Sequence, residues 1–243
     1  MTVGRSRQHG FVTLSLDAPE RRNALSAALV EDLSAELRAC GEDESVRAVI
    51  LTHSGTTFCA GADLRDPPDP KAFVALLRQI VELPKPVVAR IDGHVRAGGL
   101  GLLGACDLSA ASDAATFAFT EVRIGVAPAV ISLPLLPRLD PRTVARYYLT
   151  GEKFGPAEAA AMGLVTTAGA DVDEALAPML DGLRRSAPEG LAETKKLLTV
   201  RVLDTFDAQA ADLVALSARL FTTDTAREGM TAFLERRDAA WVW

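Results

Sequence analysis

Several classes of protein are set aside by what this chain has little of. Its 243 residues include three cysteines and three histidines. Cys40, Cys59 and Cys106 are odd in number and carry no metal-type spacing, so they read as reduced thiols of a cytoplasmic protein, not as a disulfide framework. His9, His53 and His94 are too scattered for a metal site to be expected. No apolar run reaches the ~18 residues of a membrane span, and the opening MTVGRSRQHG lacks the apolar core of a signal peptide. A dense basic block is also missing. With 26 Lys and Arg against 32 Asp and Glu the net charge is −6, so neither nucleic acid nor an anionic membrane is expected as a partner. An anionic ligand would have to be held by a local basic spot.

What is present is the balance of a globular protein, 49% hydrophobic and 24% charged, long enough for one large domain or a domain with an appendage. FVTLSL at 11–16 alternates in strand fashion and runs into the loop DAPERRNALS. Residues 27–40 place Leu29, Val30, Leu33 and Leu37 on one helical face, with Ser26 as cap and Gly41 just past the end. VRAVILT (46–52) and PVVARID (86–92) are apolar enough for strands buried on both faces, and KAFVALLRQIVEL between them reads as a helix. Such alternation predicts an α/β fold with parallel strands. After about residue 127 the chain reads mostly helical, over 141–150, 156–162, 172–185, 188–199, 205–220 and 223–237. A helical layer of that kind suits a contact between protomers.

Three segments carry the chemistry. TTFCAGADL (56–64) and RAGGLGLLGACD (96–107) each place a small-residue turn after a buried strand, and FAFTEVRIGVAP (117–128) places Glu121 after a third. In a parallel sheet successive strand ends share one edge, where ligands bind. Two turns there can aim two backbone N–H groups at one point, the minimal oxyanion hole for an enolate or tetrahedral oxyanion. A glycine cluster at a helix start, costing about 1 kcal/mol per residue against alanine, then has a compensating use. Taken singly, each turn is explained as well by close packing, GGLG does not match a dinucleotide or P-loop fingerprint, and a lone glutamate is ordinarily a surface acid. His94 reads as a packed histidine, and Cys59, with no base in view, as a small buried apolar residue.

At these residues the chain resembles the enoyl-CoA hydratase/isomerase, or crotonase, family. The likeness runs from PERRNALS through FCAGADL, AGGLGLLGACD and TEVRIGVAP to the terminal EGMTAFLERR. It implies a spiral of ββα units with a C-terminal helical region. Residues 1–185 would form the spiral core with the acyl-CoA site, and 186–243 an oligomerisation region, in homotrimers or hexamers built as pairs of trimers. It implies an acyl-CoA substrate and a stabilised thioester enolate. By motif position Ala60 and Gly98 match the two amide donors, and Glu121 the acid that transfers the proton. Arg22, Ala24 and Leu25 match the coenzyme-contacting loop, and Ala62, Asp63 and Leu64 the adenine-facing turn. Phe233 and Arg236 match terminal positions that meet the adenosine phosphate. No metal or redox cofactor is implied; coenzyme A arrives as part of the substrate.

The chain departs from the family at one telling place. Hydratases of this family use two glutamates, and the first falls here on Gly101, which has no side chain. Counting carboxylates favours an isomerase, which needs one base to move a proton between C2 and C4. The texture of GHVRAGG and VRIGVAPAVISLPLL is instead that of hydratases of short or branched acyl-CoAs, 3-methylglutaconyl-CoA among them. Arg96 needs a partner if buried: Glu121, a C-terminal carbonyl or a substrate carboxylate. The expectation is a 2-enoyl-CoA hydratase, a lyase of lipid and fatty acid metabolism. The alternatives are a Δ3,Δ2-enoyl-CoA isomerase using Glu121 alone and a non-catalytic acyl-CoA-binding regulator.

Overall fold

In the computed structural model, which describes residues 2–243, FVTLSL forms β2 (Phe11–Leu16). It pairs antiparallel with β1 (Val3–Gln8), a strand not anticipated above. The helix expected at 27–40 is α1 (Ala27–Glu42), and it buries Leu29, Val30, Leu33 and Leu37. Ser26 caps it, its hydroxyl accepting from the Leu29 N–H at 3.2 Å. Gly41 lies inside the last turn and not beyond it, because the Asp43 N–H still closes on the Ala39 carbonyl.

Each unit that follows supplies two strands and then a helical segment. They are β3 (Ala48–His53), β4 (Thr57–Cys59) and α2 (Pro70–Glu82); β5 (Val87–Ile91), β6 (His94–Arg96) and α3 (Gly98–Ala105); and β7 (Leu108–Ser112) and β8 (Phe117–Ala118), leading into a 3₁₀ turn at Glu121–Ile124. The first strand of each unit joins a six-stranded sheet in the order β1-β2-β3-β5-β7-β9, completed by β9 (Thr167–Gly169). The second joins a three-stranded sheet, β4-β6-β8. All pairings after β1–β2 are parallel. The chain is therefore wound as a spiral, and β4, β6 and β8 end side by side.

The remaining helices are α4 (Ser132–Leu135), α5 (Pro141–Thr150), α6 (Pro156–Ala161), α7 (Val172–Arg185), α8 (Pro188–Phe221) and α9 (Asp224–Glu235). The two helices expected at 188–199 and 205–220 are one, since the linking VRVLD holds neither glycine nor proline and Val202 and Phe206 bury on the continuous face. The boundary at 185/186 falls between α7 and α8, and α8 adds Val202 and Phe206 to the core that the spiral builds. A buried ion pair pins it there. Lys195 Nζ lies 2.7 Å from Asp107 and donates to the carbonyls of Ile80 and Lys85. Burial raises the Asp107 pKa and lowers that of Lys195, each toward its neutral form. No helix among the described residues is long and apolar enough to cross a membrane.

Candidate active site

The chain leaving β4, β6 and β8 carries the three segments singled out above, so the spiral brings the two small-residue turns and Glu121 to one sheet edge. The first turn is braced by the loop before α1. Leu25 N–H donates to the Gly61 carbonyl at 2.8 Å, and Asp63 N–H to the Leu25 carbonyl at 2.9 Å. That loop turns through Arg22 and Asn23, both in the left-handed region at φ 53° and 51°. The buried Asn23 side chain holds it, accepting from Ala18 N–H and donating to the carbonyls of Ser54 and Thr57 at 3.0 and 2.7 Å. Asparagine tolerates this backbone better than most residues. Asn23 was not among the candidates; an asparagine inside a charged loop was its only signal.

The reading of Ala60 is corrected by these bonds. Its N–H donates to the Arg22 carbonyl at 3.1 Å and has no capacity left for a ligand. Gly61 O and Asp63 N both face Leu25, so strand alternation aims the intervening Ala62 N–H to the opposite side, where β6 lies. That amide has no hydrogen-bond partner among the described residues. The Gly98 N–H has none either, at the first position of α3, where helix geometry leaves it unpaired. The two turns touch. A Cβ on Gly61 would sit 2.9 Å from Ala97 Cβ and 3.6 Å from Gly98 N, so glycine is required at 61, which also has φ +92°. Ala97 holds φ 45° and ψ −118°, a strained conformation of the sort stored at functional sites. The bareness of Gly98 has a second cause besides ligand access: a Cβ there would meet Leu25 Cδ1 at 2.7 Å.

Glu121 opens the 3₁₀ turn and is buried. Its Oε2 has no hydrogen-bond partner, and burial pushes its carboxyl up to about 7, with its own N–H offsetting part of the rise. The segment before it is set by aromatic packing, Phe119 lying 4.4 Å from the Tyr148 ring and 5.9 Å from Phe154. From the other side α9 closes in, with no room for a side chain on Gly229 against the Ile124 carbonyl. A carboxyl divided between its two forms near neutral pH can both take and return a proton.

The place of the missing glutamate is occupied. A Cβ on Gly101 would meet Ile131 Cγ2 at 2.7 Å, with Leu77 Cδ1 at 3.5 Å, so this wall is repacked with buried apolar side chains. Arg96 does not pair with Glu121. Its guanidinium donates to the carbonyls of Val95 and Thr116 at 2.9 and 2.6 Å and to Thr116 Oγ1 at 2.7 Å, and burial lowers its pKa. The partner is thus the neutral rim of β8, which was not among the three considered. His94 is exposed and shares Thr116 Oγ1 at 2.9 Å. Burial pushes the Cys59 thiol up to about 12, leaving no thiolate for attack.

On the coenzyme side the structure gathers some candidates and leaves others apart. Leu25 and Asp63 join the two loops, and Asp63 lies 3.2 Å from Arg21, the neighbour of the residue singled out. Ala24, Ala62 and Leu64 are half-buried around them, whereas Arg22 is exposed. Phe233 and Arg236 stand on α9 and just after it, exposed, with no hydrogen bond to either loop among the described residues.

Two sheets wound from repeated ββα units, with three strand ends gathered at a buried carboxylate, define the crotonase class of fold. The sequence pattern of the enoyl-CoA hydratase/isomerase family matches residues 6–242, and the chain belongs to that family of acyl-CoA enzymes. The crystal structure of an enoyl-CoA hydratase from Mycobacterium avium is similar, at 49% identity and a TM-score of 0.93, with 99% of each chain covered. A Rhodobacter capsulatus relative described as a "probable enoyl-CoA hydratase" is 34% identical over 97% of this chain and 96% of its own. The mevalonyl-coenzyme A hydratase of Aspergillus fumigatus is 29% identical over 95% of this chain and 91% of its own.

Proposed function

We propose that this chain hydrates the 2,3 double bond of an enoyl-CoA through a thioester enolate. The Ala62 and Gly98 N–H groups hold the thioester oxygen, and Glu121 transfers the proton. The observation that carries this reading is the buried Glu121 carboxyl, its Oε2 without a hydrogen-bond partner, at the same sheet edge as the two unpaired amides. Polarising the carbonyl lets negative charge collect on oxygen as bonds at C2 and C3 change, and fixed amides in a dry site stabilise that charge by several kcal/mol. Coenzyme A needs no site as a separate cofactor in this scheme. Arg22, Ala24 and Leu25 are assigned to the loop that contacts the coenzyme, Asp63 and Leu64 to the turn that faces its adenine, and Phe233 and Arg236 to its adenosine phosphate. The exposed Leu197 and Leu198 on α8 favour a homo-oligomer, since adjacent leucines of that size are seldom left to water.

The isomerase reading has one observation behind it, the apolar filling of the space at Gly101, which leaves Glu121 without a companion acid. A substrate panel separates the two. Crotonyl-CoA, a branched enoyl-CoA, 3-methylglutaconyl-CoA and a 3-enoyl-CoA are each incubated with the protein while the conjugated thioester absorbance is followed. Hydration removes that absorbance from a 2-enoyl-CoA, and isomerisation creates it from the 3-enoyl-CoA. Loss from at least one 2-enoyl-CoA, with no gain from the 3-enoyl-CoA, is expected. Binding of all four without turnover would instead mark a non-catalytic acyl-CoA binder.

A further inference from the structure

Hydration written out in full needs more than one polar group near C3. The oxygen of water bonds to C3, and the π pair of the C2–C3 bond moves through C2 onto the thioester oxygen as an enolate. The water proton passes to Glu121, which returns it to C2 as the enolate collapses and the carbonyl re-forms. Atoms and charge balance, with Glu121 ending as it began. The water must still be aimed, and a single hydrogen bond to one carboxylate leaves it free to pivot. Gly101 cannot supply the second group, and its space is closed by Ile131.

The residue after Ile131 is Ser132, and its hydroxyl lies 3.4 Å from the Tyr148 hydroxyl. Ser132 Oγ donates to the Pro128 carbonyl at 2.6 Å and, over the longer 3.4 Å contact, toward the Tyr148 oxygen, so the Tyr148 hydrogen is committed to neither group. Tyr148 projects from α5, which packs on the 3₁₀ turn that bears Glu121, and its ring is fixed against Phe119, two residues before that glutamate. Burial and the Glu121 charge both raise the tyrosine pKa, so the group is a neutral donor. We propose that Tyr148 is a positioning residue that orients the attacking water against Glu121, in place of the carboxylate that Gly101 lacks. The inference rests on the hydratase reading above.

The test is Tyr148→Phe, assayed two ways in the full-length protein. One assay is hydration of the best 2-enoyl-CoA of the panel. The other is exchange of the C2 proton of the matching saturated acyl-CoA in D₂O, which needs the amides and Glu121 but no oriented water. Hydration kcat is expected to fall about 10- to 100-fold with KM nearly unchanged, while exchange stays within about 2-fold of wild type. Ser132→Ala, which removes the anchor and leaves the ring, is expected to show the same split more weakly, and it serves alone if Tyr148→Phe does not fold. Undiminished hydration in the variant, or equal loss of hydration and exchange, overturns the assignment to Tyr148 and leaves the hydratase reading standing. A wild-type protein that exchanges C2 protons but hydrates nothing overturns the hydratase reading itself.

Discussion

Glu121 carries a cost that a surface glutamate does not. With its carboxyl raised by burial from 4.5 to about 7, the folded protein binds more protons than the unfolded chain between those two values. The sign follows. Below both values the group is neutral in either state and contributes nothing. As pH rises the unfolded chain ionises first, stability falls, and above about 7 the loss is complete at roughly 3 kcal/mol, from ~1.4 kcal/mol per unit. Glu121→Gln removes this dependence. Urea melts of both proteins at about pH 5 and pH 8 are expected to show the variant gaining most of that amount relative to wild type; parallel curves would mean that the carboxyl is not buried. At this scale the sequence was informative about side chains and poor about backbone. The placement of Glu121 and Gly98 just past strand ends on one sheet edge was legible. Ala60 was misjudged because which N–H of a turn is free depends on the Arg22 carbonyl, contributed by a loop far away in the chain. Tyr148 and Ile131 carried no signal, since nothing local says that they pack on Phe119 and Gly101.

Among the elements, α3 and the segment opening α4 show how close packing replaces chemistry. Gly101 and Gly104 face Ile131 and Leu135 so closely that a Cβ on either glycine would clash, so α3 lies against α4 with nothing between. Gly101→Ala gains about 1 kcal/mol of helix propensity, yet overpacking against Ile131 is worth about 1–3 kcal/mol in the other direction. The expected result in urea melts is a net loss of stability that Ile131→Ala partly relieves, so that the double variant is more stable than the sum of the single changes implies. Strict additivity would show that the two positions do not touch. The elements that could be read from sequence were those long enough for periodicity, such as α1, α2 and α7. The second strand of each unit, two or three residues long, is too short to show a period of two. The continuity of α8 was missed although the linking VRVLD holds neither glycine nor proline, the residues that would enforce a break.

At the scale of the whole molecule, the alternation of apolar strands and amphipathic helices announced a parallel α/β fold, and the family resemblance supplied its winding into two sheets. That winding is what makes three segments some sixty residues apart end to end into one site, because successive units repeat at the same edge. The central claim is that two unpaired amides and one lone acid share a thioester at that edge. Its most direct test is steady-state hydration of a 2-enoyl-CoA by wild type and Glu121→Gln across pH, with acyl-CoA affinity measured alongside. The account predicts that wild-type kcat/KM rises with pH through about 7, as the Glu121 carboxylate forms, and that the variant loses about 10²- to 10⁴-fold in kcat while binding acyl-CoA as before. A variant that turns over at the wild-type rate with the same pH profile would contradict it.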